Sequence, residues 1–316
     1  MRYNIDQAFI EGLSYLPELS IKNPIASRLV LTTMAAEMDA ELDVSGVSWS
    51  DCCIEGGEGA PEVTLRIYRP DEQPSIGPGL LYIHGGGFVI GDLESEHGTC
   101  VFLCRQLGIT LVSTDYRKAP ESPYPGGLDD CYTALGWVSA NAHSLAIDPE
   151  RLGVFGRSAG AGLAAATTLL ARDRQGPAIC FQYLGMPELD DRLETPSMQQ
   201  FVDTPIWNRP NAELSWAYYL GDQYQRGGSN IPGYAAPARA DDLSGLPPAH
   251  VTTMEFDPLR DEGVLYALRL MQAGVRTELH SYPGTFHGSV LFSHAPVSQR
   301  ELTEMVTVLR NGLLLD

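Results

Sequence analysis

Leu152-Gly153-Val154-Phe155-Gly156-Arg157-Ser158-Ala159-Gly160 runs directly into a segment, Ser158 to Arg172, that is dominated by Ala and Leu. The apolar residues 152–155 read as a buried strand and the following segment as a helix, so Ser158 falls on a tight strand-to-helix turn. Such a turn forces unusual backbone angles and close approach of its neighbours, and the flanking positions 156 and 160 are both glycine. A G-x-S-x-G match arises by chance roughly 0.2 times in 300 residues, so the match carries weight only through its context. The bland alternative is a glycine-rich helix start with Ser158 as a capping residue.

Outward from this turn the chain keeps the same rhythm. Val63 to Tyr68, Leu80 to Ile83, Ile109 to Ser113, Ile179 to Leu184, Ala249 to Met254 and Val275 to Tyr282 are strand candidates, and Gly127 to Asn141 reads as a helix. Apolar strands separated by helices predict an α/β fold built on a mostly parallel sheet covered on both faces. Two regions depart from it. Residues 1 to about 45 read as helical, with Ile25, Leu29, Leu31, Met34, Ala35 and Met38 near helical spacing. Residues 187 to about 246 are rich in turn residues and aromatics, which predicts a lid or small subdomain inserted between two strands.

Ahead of the serine turn, and directly after a strand, stands His84-Gly85-Gly86-Gly87-Phe88. Attack by Ser158 on an acyl carbon creates an oxyanion, which backbone amides in a glycine loop can meet unobstructed. One such donor is worth about 3 to 4 kcal/mol to the transition state. Gly85 and Gly86 are the expected donors, with Ala159 as the third. A histidine base and an orienting acid are then required, in the order serine, acid, histidine. Asp257 follows the strand Ala249–Met254 and precedes Pro258, which holds it extended. Glu255 is the runner-up acid, and Asp261 and Glu262 read as helix-dipole stabilisers. His287 follows the last strand, between Pro283-Gly284 and Gly288. Both sites lie at the carboxyl ends of strands, where open α/β sheets place their chemistry. His280 reads as structural, and His84 as a brace for the glycine loop. His97, His143, His250 and His294 have no companion at metal-ligand spacing, so no metal is expected.

Composition narrows the partners. The 316 residues carry a formal net charge of −19, and lysine occurs only at 22 and 118. So acidic a chain is repelled by nucleic acid and by anionic membrane surfaces. Cys52, Cys53, Cys100, Cys104, Cys131 and Cys180 form no C-x-x-C pair and read as reduced, mostly small apolar groups. The N-terminus has no signal-peptide pattern and no stretch reaches membrane-spanning length, which predicts a cytoplasmic protein.

Taken together, these motifs resemble the hormone-sensitive-lipase family of α/β-hydrolases, the bacterial family IV esterases. The resemblance also takes in Asp115-Tyr116-Arg117-Lys118-Ala119-Pro120-Glu121, Tyr124-Pro125 with Leu128-Asp129-Asp130, and Asp257 to Gly263. It implies an eight-stranded sheet and a helical cap made of residues 1–45 and 188–246, over a core of residues 46–187 and 247–316. It further implies hydrolysis of short-chain acyl esters without cofactor or metal, through a Ser158–Asp257–His287 triad, often in homodimers paired through an edge strand. Phe88, Trp207, Trp216, Tyr218, Tyr219 and Ser289 are the residues expected near the substrate. The chain departs from the family at Arg157, where an acidic residue is usual, at Ala161, usually glycine, and at Ser289, usually aromatic. A cation at 157 is expected to oppose positive charge on the catalytic imidazole, and the other two changes bear on pocket shape. An amidase would use the same parts. A non-catalytic receptor on this fold would be expected to lack His287, and a lyase would have no use for the serine turn.

Overall fold

The computed structural model describes residues 2–15, 20–39, 42–72 and 76–314. Within the expected N-terminal cap segment, residues 1, 16–19, 40 and 41 therefore lie outside the described residues, as does the side chain of Met38. Eight strands form one sheet: β1 (Val47–Ile54), β2 (Val63–Pro70), β3 (Gly77–Ile83), β4 (Thr110–Asp115), β5 (Ile147–Arg157), β6 (Phe181–Gly185), β7 (Ala249–Phe256) and β8 (Thr277–Phe286). Their order across the sheet is β1-β2-β4-β3-β5-β6-β7-β8. β1 and β2 are antiparallel additions, and every other neighbouring pair is parallel.

Helices α1 (Ile10–Leu13), α2 (Pro24–Asp39), α3 (His97–Leu107), α4 (Gly126–Ala140), α5 (Ala159–Asp173), α6 (Pro196–Gln200), α7 (Arg209–Leu220), α8 (Arg260–Gln272) and α9 (Pro296–Gly312) surround it. Side chains alternate across the sheet, as strand geometry requires. Leu80, Tyr82, Phe155 and Tyr183 face α3 and α9 through Leu103, Leu107, Met305 and Leu309. Leu81, Ile83, Val154 and Leu184 face α4, α5 and α8 through Leu135, Ala164 and Leu270. The central strands are buried on both faces, which is why they read as unbroken apolar runs. None of the described helices is long and apolar enough to cross a membrane.

The sequence reading missed β1. Only Val47 and Ile54 of that edge strand are buried, and the residues between them show neither alternation nor an apolar run. In α2 the helix is present, but its apolar residues are split: Ile25 and Leu29 are 75% and 68% exposed, while Ala35 is buried and Leu31 packs against the core. Arg28 pins the helix to the body instead: its guanidinium donates to the carbonyls of Val89 and Ala119 and forms a two-pronged pair with Glu121. All six cysteines are free thiols, with Cys100, Cys104 and Cys131 buried.

Candidate active site

Ser158 directly follows β5 with φ 55° and ψ −128°, a conformation that a residue with a side chain adopts only under constraint. The constraint comes from both sides. The Ser158 amide donates to Gly185 O at 2.8 Å, while its carbonyl accepts from the Ala161, Gly162 and Glu188 amides. A Cβ on Gly156 would lie 2.6 Å from Ala161 N, and one on Gly160 2.7 Å from the His84 carbonyl carbon. Only glycine fits at either position, so the motif is a packing requirement of the turn.

Asp257 and His287 each directly follow the last residue of a strand, β7 and β8 respectively. The imidazole lies between the other two side chains, with Nδ1 2.7 Å from Asp257 Oδ2 and Nε2 2.9 Å from Ser158 Oγ. Asp257 is fully buried, and its other oxygen accepts from the Leu259 amide at 2.9 Å. Glu255, the alternative acid, is committed elsewhere, accepting from the Gly284 amide at 2.6 Å. Asp261 and Glu262 do begin α8, but their carboxylates serve other partners: Asp261 accepts from Ser197 N, and Glu262 from the amides of Leu189 and Asp190.

The loop after β3 brings Gly85 against the elbow: a Cβ there would lie 3.5 Å from that of Ser158. Among the described residues the Gly85 and Gly86 amides donate to no protein acceptor. Gly86, Gly87 and Phe88 all have positive φ. His84 is fully buried, stacks on Tyr116 with centroids 4.1 Å apart, and donates from Nδ1 to Gly85 O at 2.7 Å. Burial, and then the nearby Lys118, push this histidine down to about 4, so it is neutral at pH 7.

A cavity of about 990 Å³, counting the part open to solvent, lies over Ser158 and His287. Its wall is mainly apolar, with Ile21, Leu31, Ile90, Met186, Trp207 and Val290 prominent. Of the aromatics expected near the substrate, Trp207 lines this space; Phe88, Trp216, Tyr218 and Tyr219 do not. Phe88 stacks on Tyr219 at 4.0 Å and meets Trp216 at 5.5 Å, a buried cluster that fixes α7 to the glycine loop. Tyr218 reaches the Lys22 carbonyl. Ser289 also lies off the cavity: it is fully buried, and its hydroxyl faces the Met254 sulfur at 3.8 Å. Ala161 is buried inside α5 and does not touch the cavity. Arg157 does line it, while its Nη2 donates to Met305 Sδ at 3.2 Å. Ile21, Ile90, Met186, Ile206, Asn211 and Leu291 were not anticipated, because they lie in loops or at helix ends that carry no motif. No group of three or more metal-binding side chains occurs among the described residues.

A serine, a histidine and an aspartate in hydrogen-bonded series, at the carboxyl ends of a parallel sheet and beside a glycine loop, define the α/β-hydrolase class of proteins. A family model for the α/β hydrolase fold matches residues 80–291. A solved structure titled Bacterial Heroin Esterase superposes with a TM-score of 0.96 at 50% identity, covering 98% of each chain. Carboxylesterase NlhH of Mycobacterium tuberculosis is 39% identical over 248 residues, 78% of this chain and 77% of that one. An arylesterase of Saccharolobus solfataricus is 34% identical over 254 residues, 78% of each. The chain belongs to the α/β-hydrolase family, in its hormone-sensitive-lipase branch, and is a carboxylic ester hydrolase.

Proposed function

We propose that the enzyme cleaves short-chain acyl esters through an acyl-enzyme on Ser158. The single observation that carries this reading is the bridging position of His287, 2.9 Å from Ser158 Oγ and 2.7 Å from Asp257. In this mechanism Ser158 Oγ attacks the ester carbonyl carbon as His287 Nε2 takes its proton. Asp257 accepts from Nδ1–H, fixing the tautomer and stabilising the imidazolium without taking the proton. The oxyanion is met by the amides of Gly85, Gly86 and Ala159. The carbonyl re-forms, the C–O bond to the alcohol breaks, and His287 returns the proton to the leaving oxygen. A water activated by His287 then attacks the acyl-enzyme and releases the acid.

Residues 1–45 and 188–246 act as a cap over the core in this reading, supported by Ile21, Ser27, Leu31, Ile206, Trp207 and Asn211 lining the same cavity as Ser158. Trp207 bounds the acyl or alcohol group. The enzyme works in the cytoplasm on small esters, away from nucleic acid and membranes in keeping with its charge of −19. It pairs as a homodimer through an edge strand of the sheet, whose two edges are β1 and β8.

The test is hydrolysis of a p-nitrophenyl acyl series by the native chain and by Ser158→Ala. Turnover fastest on short chains and lost in the variant is expected. Undiminished turnover in Ser158→Ala would remove the serine from the mechanism, and preference for long chains would remove the substrate class.

A further inference from the structure

Arg157 is a buried cation for which the mechanism above has no use. It is 8% exposed. Its guanidinium donates to the Met305 thioether at 3.2 Å and lies 5.6 Å from the centre of the Phe155 ring. Among the described residues it forms no ion pair. A thioether is a weak acceptor and a guanidinium carries five N–H donors, so most of its hydrogen-bonding capacity is unspent, and none of its nitrogens is among the polar atoms sealed from solvent without a partner. The acids that act on it from a distance are Glu301 and Glu96. Glu301 is 1% exposed, and burial pushes it up to about 7, so it is only partly ionised at neutral pH. Glu96 is occupied in part by the Tyr82 hydroxyl at 2.6 Å.

Arg157 and Glu96 both line the substrate cavity, in the company of Ser95, Val290 and Leu291, and they are the Arg and Glu side chains of that mainly apolar wall. Because Arg157 and Ser158 border the same cavity, a substrate whose ester reaches Ser158 can extend a second acceptor toward the guanidinium. We propose that Arg157 makes this end of the cavity a subsite for a second carbonyl group on the substrate, so that the preferred esters are diesters or keto esters. The inference rests on the reading of Ser158 as nucleophile. A neutral carbonyl is favoured over a carboxylate, because the Glu96 carboxylate borders the same space and repels an anion.

Two length-matched pairs test it by kcat/KM: methyl 4-nitrophenyl glutarate against 4-nitrophenyl heptanoate for the acyl side, and 3-oxobutyl acetate against butyl acetate for the alcohol side. In one pair the carbonyl compound is preferred about tenfold, the typical effect of one hydrogen bond to a charged group. Arg157→Met brings that ratio to within about twofold of unity. Mono-4-nitrophenyl glutarate, which carries a carboxylate, is a poorer substrate than its methyl ester, and Glu96→Gln narrows the gap. The native ratios and the half-buried Glu96 variant give readings even if Arg157→Met does not fold. Ratios near unity in both pairs for the native enzyme, or a preference unchanged in Arg157→Met, overturn the subsite while leaving the esterase intact. Failure of the folded native chain to cleave any of these esters instead overturns the underlying reading of Ser158, and the subsite with it.

Discussion

Gly160→Ala is the smallest perturbation that separates the two halves of the oxyanion site. Gly160 lies in the first turn of α5, and its Cα abuts the end of β3. An added Cβ would sit 2.7 Å from the carbonyl carbon of His84 and closer still to the carbonyl oxygens of Ile83 and His84. Backbone atoms cannot swing aside as side chains do, so α5 and the glycine loop must part by about 1 Å to restore normal contact. Ala159, one of the proposed oxyanion donors, moves with the helix, while Gly85 and Gly86 stay with the loop. A 1 Å misplacement in an active site costs about 10²-fold in rate, and overpacking of this kind costs about 1–3 kcal/mol of stability. The assay is kcat and kcat/KM on p-nitrophenyl butyrate, with Tm measured in parallel. Gly136→Ala is the control. That glycine is inside α4 with nothing within 4 Å of the new Cβ, and its replacement should stabilise the helix by about 0.5–1 kcal/mol. If Gly160→Ala lowers Tm but leaves kcat within about threefold of native, the contact between α5 and β3 does not set the oxyanion geometry and the reasoning fails.

Trp207→Ala should relax the limit on acyl length. The indole packs against Gly87 and, at 5.9 Å between centroids, beside His287; the ratio of octanoate to butyrate hydrolysis should rise about tenfold, and an unchanged ratio would show that another wall sets the limit. Glu188→Gln should change the pH dependence of stability. Glu188 is fully buried, and burial raises its carboxyl from 4.5 to about 8, with Ser215 opposing and Asp257 adding to the shift. A carboxyl raised in the folded state contributes stability that is complete below about pH 4.5 and is lost as the pH climbs through about 8. Glutamine has no proton to lose, so the variant should gain on the native chain by up to about 1.4 kcal/mol per pH unit across that window. Melting curves at pH 5 and pH 8.5 that differ between the two proteins by the same amount would refute it.

Much of this molecule is legible in the sequence because its chemistry sits at strand ends marked by glycine. Ser158, His84 to Gly87 and His287 stand beside residues that only tight turns require. Asp257 could be separated from Glu255 because Pro258 holds it extended where β7 ends. The cavity is a different matter. Ile21, Met186 and Leu291 reach it from segments whose paths depend on tertiary packing, and no local pattern announces them. The aromatics illustrate the same limit. Trp207, Trp216 and Tyr219 are equally apolar in sequence, yet one faces the substrate space and two fill the seam between α7 and the glycine loop. Periodicity marks α2 as a helix but not its buried side, because a helix held by Arg28 over a cavity need not bury its apolar stripe. The polar edge strand β1 fails for a related reason: it pairs with β2 by backbone bonds, and Asp51 reaches across to Arg66, so it needs no apolar face.

The residues around the glycine loop make sense as a device for holding two peptide planes. A peptide group is rigid, so fixing its carbonyl fixes the amide on its other side. The plane joining His84 to Gly85 is held by the Tyr116 hydroxyl, which donates to His84 O at 3.0 Å, and this orients the Gly85 N–H. The plane joining Gly85 to Gly86 is held by His84 Nδ1–H on Gly85 O, and this orients the Gly86 N–H. With its protonation pushed down to about 4 by burial the histidine carries a single proton at neutral pH, and since its buried Nε2 has no partner among the described residues, that proton is the one on Nδ1. Further along, Ser215 donates to Gly87 O, the Ala119 amide to Phe88 O, and Arg28 to Val89 O. Every one of these bonds goes to a carbonyl, and the Gly85 and Gly86 amides have no protein acceptor among the described residues. A loop braced through its acceptors keeps its donors for the oxyanion, already oriented before substrate arrives, which is the condition under which such donors lower a barrier.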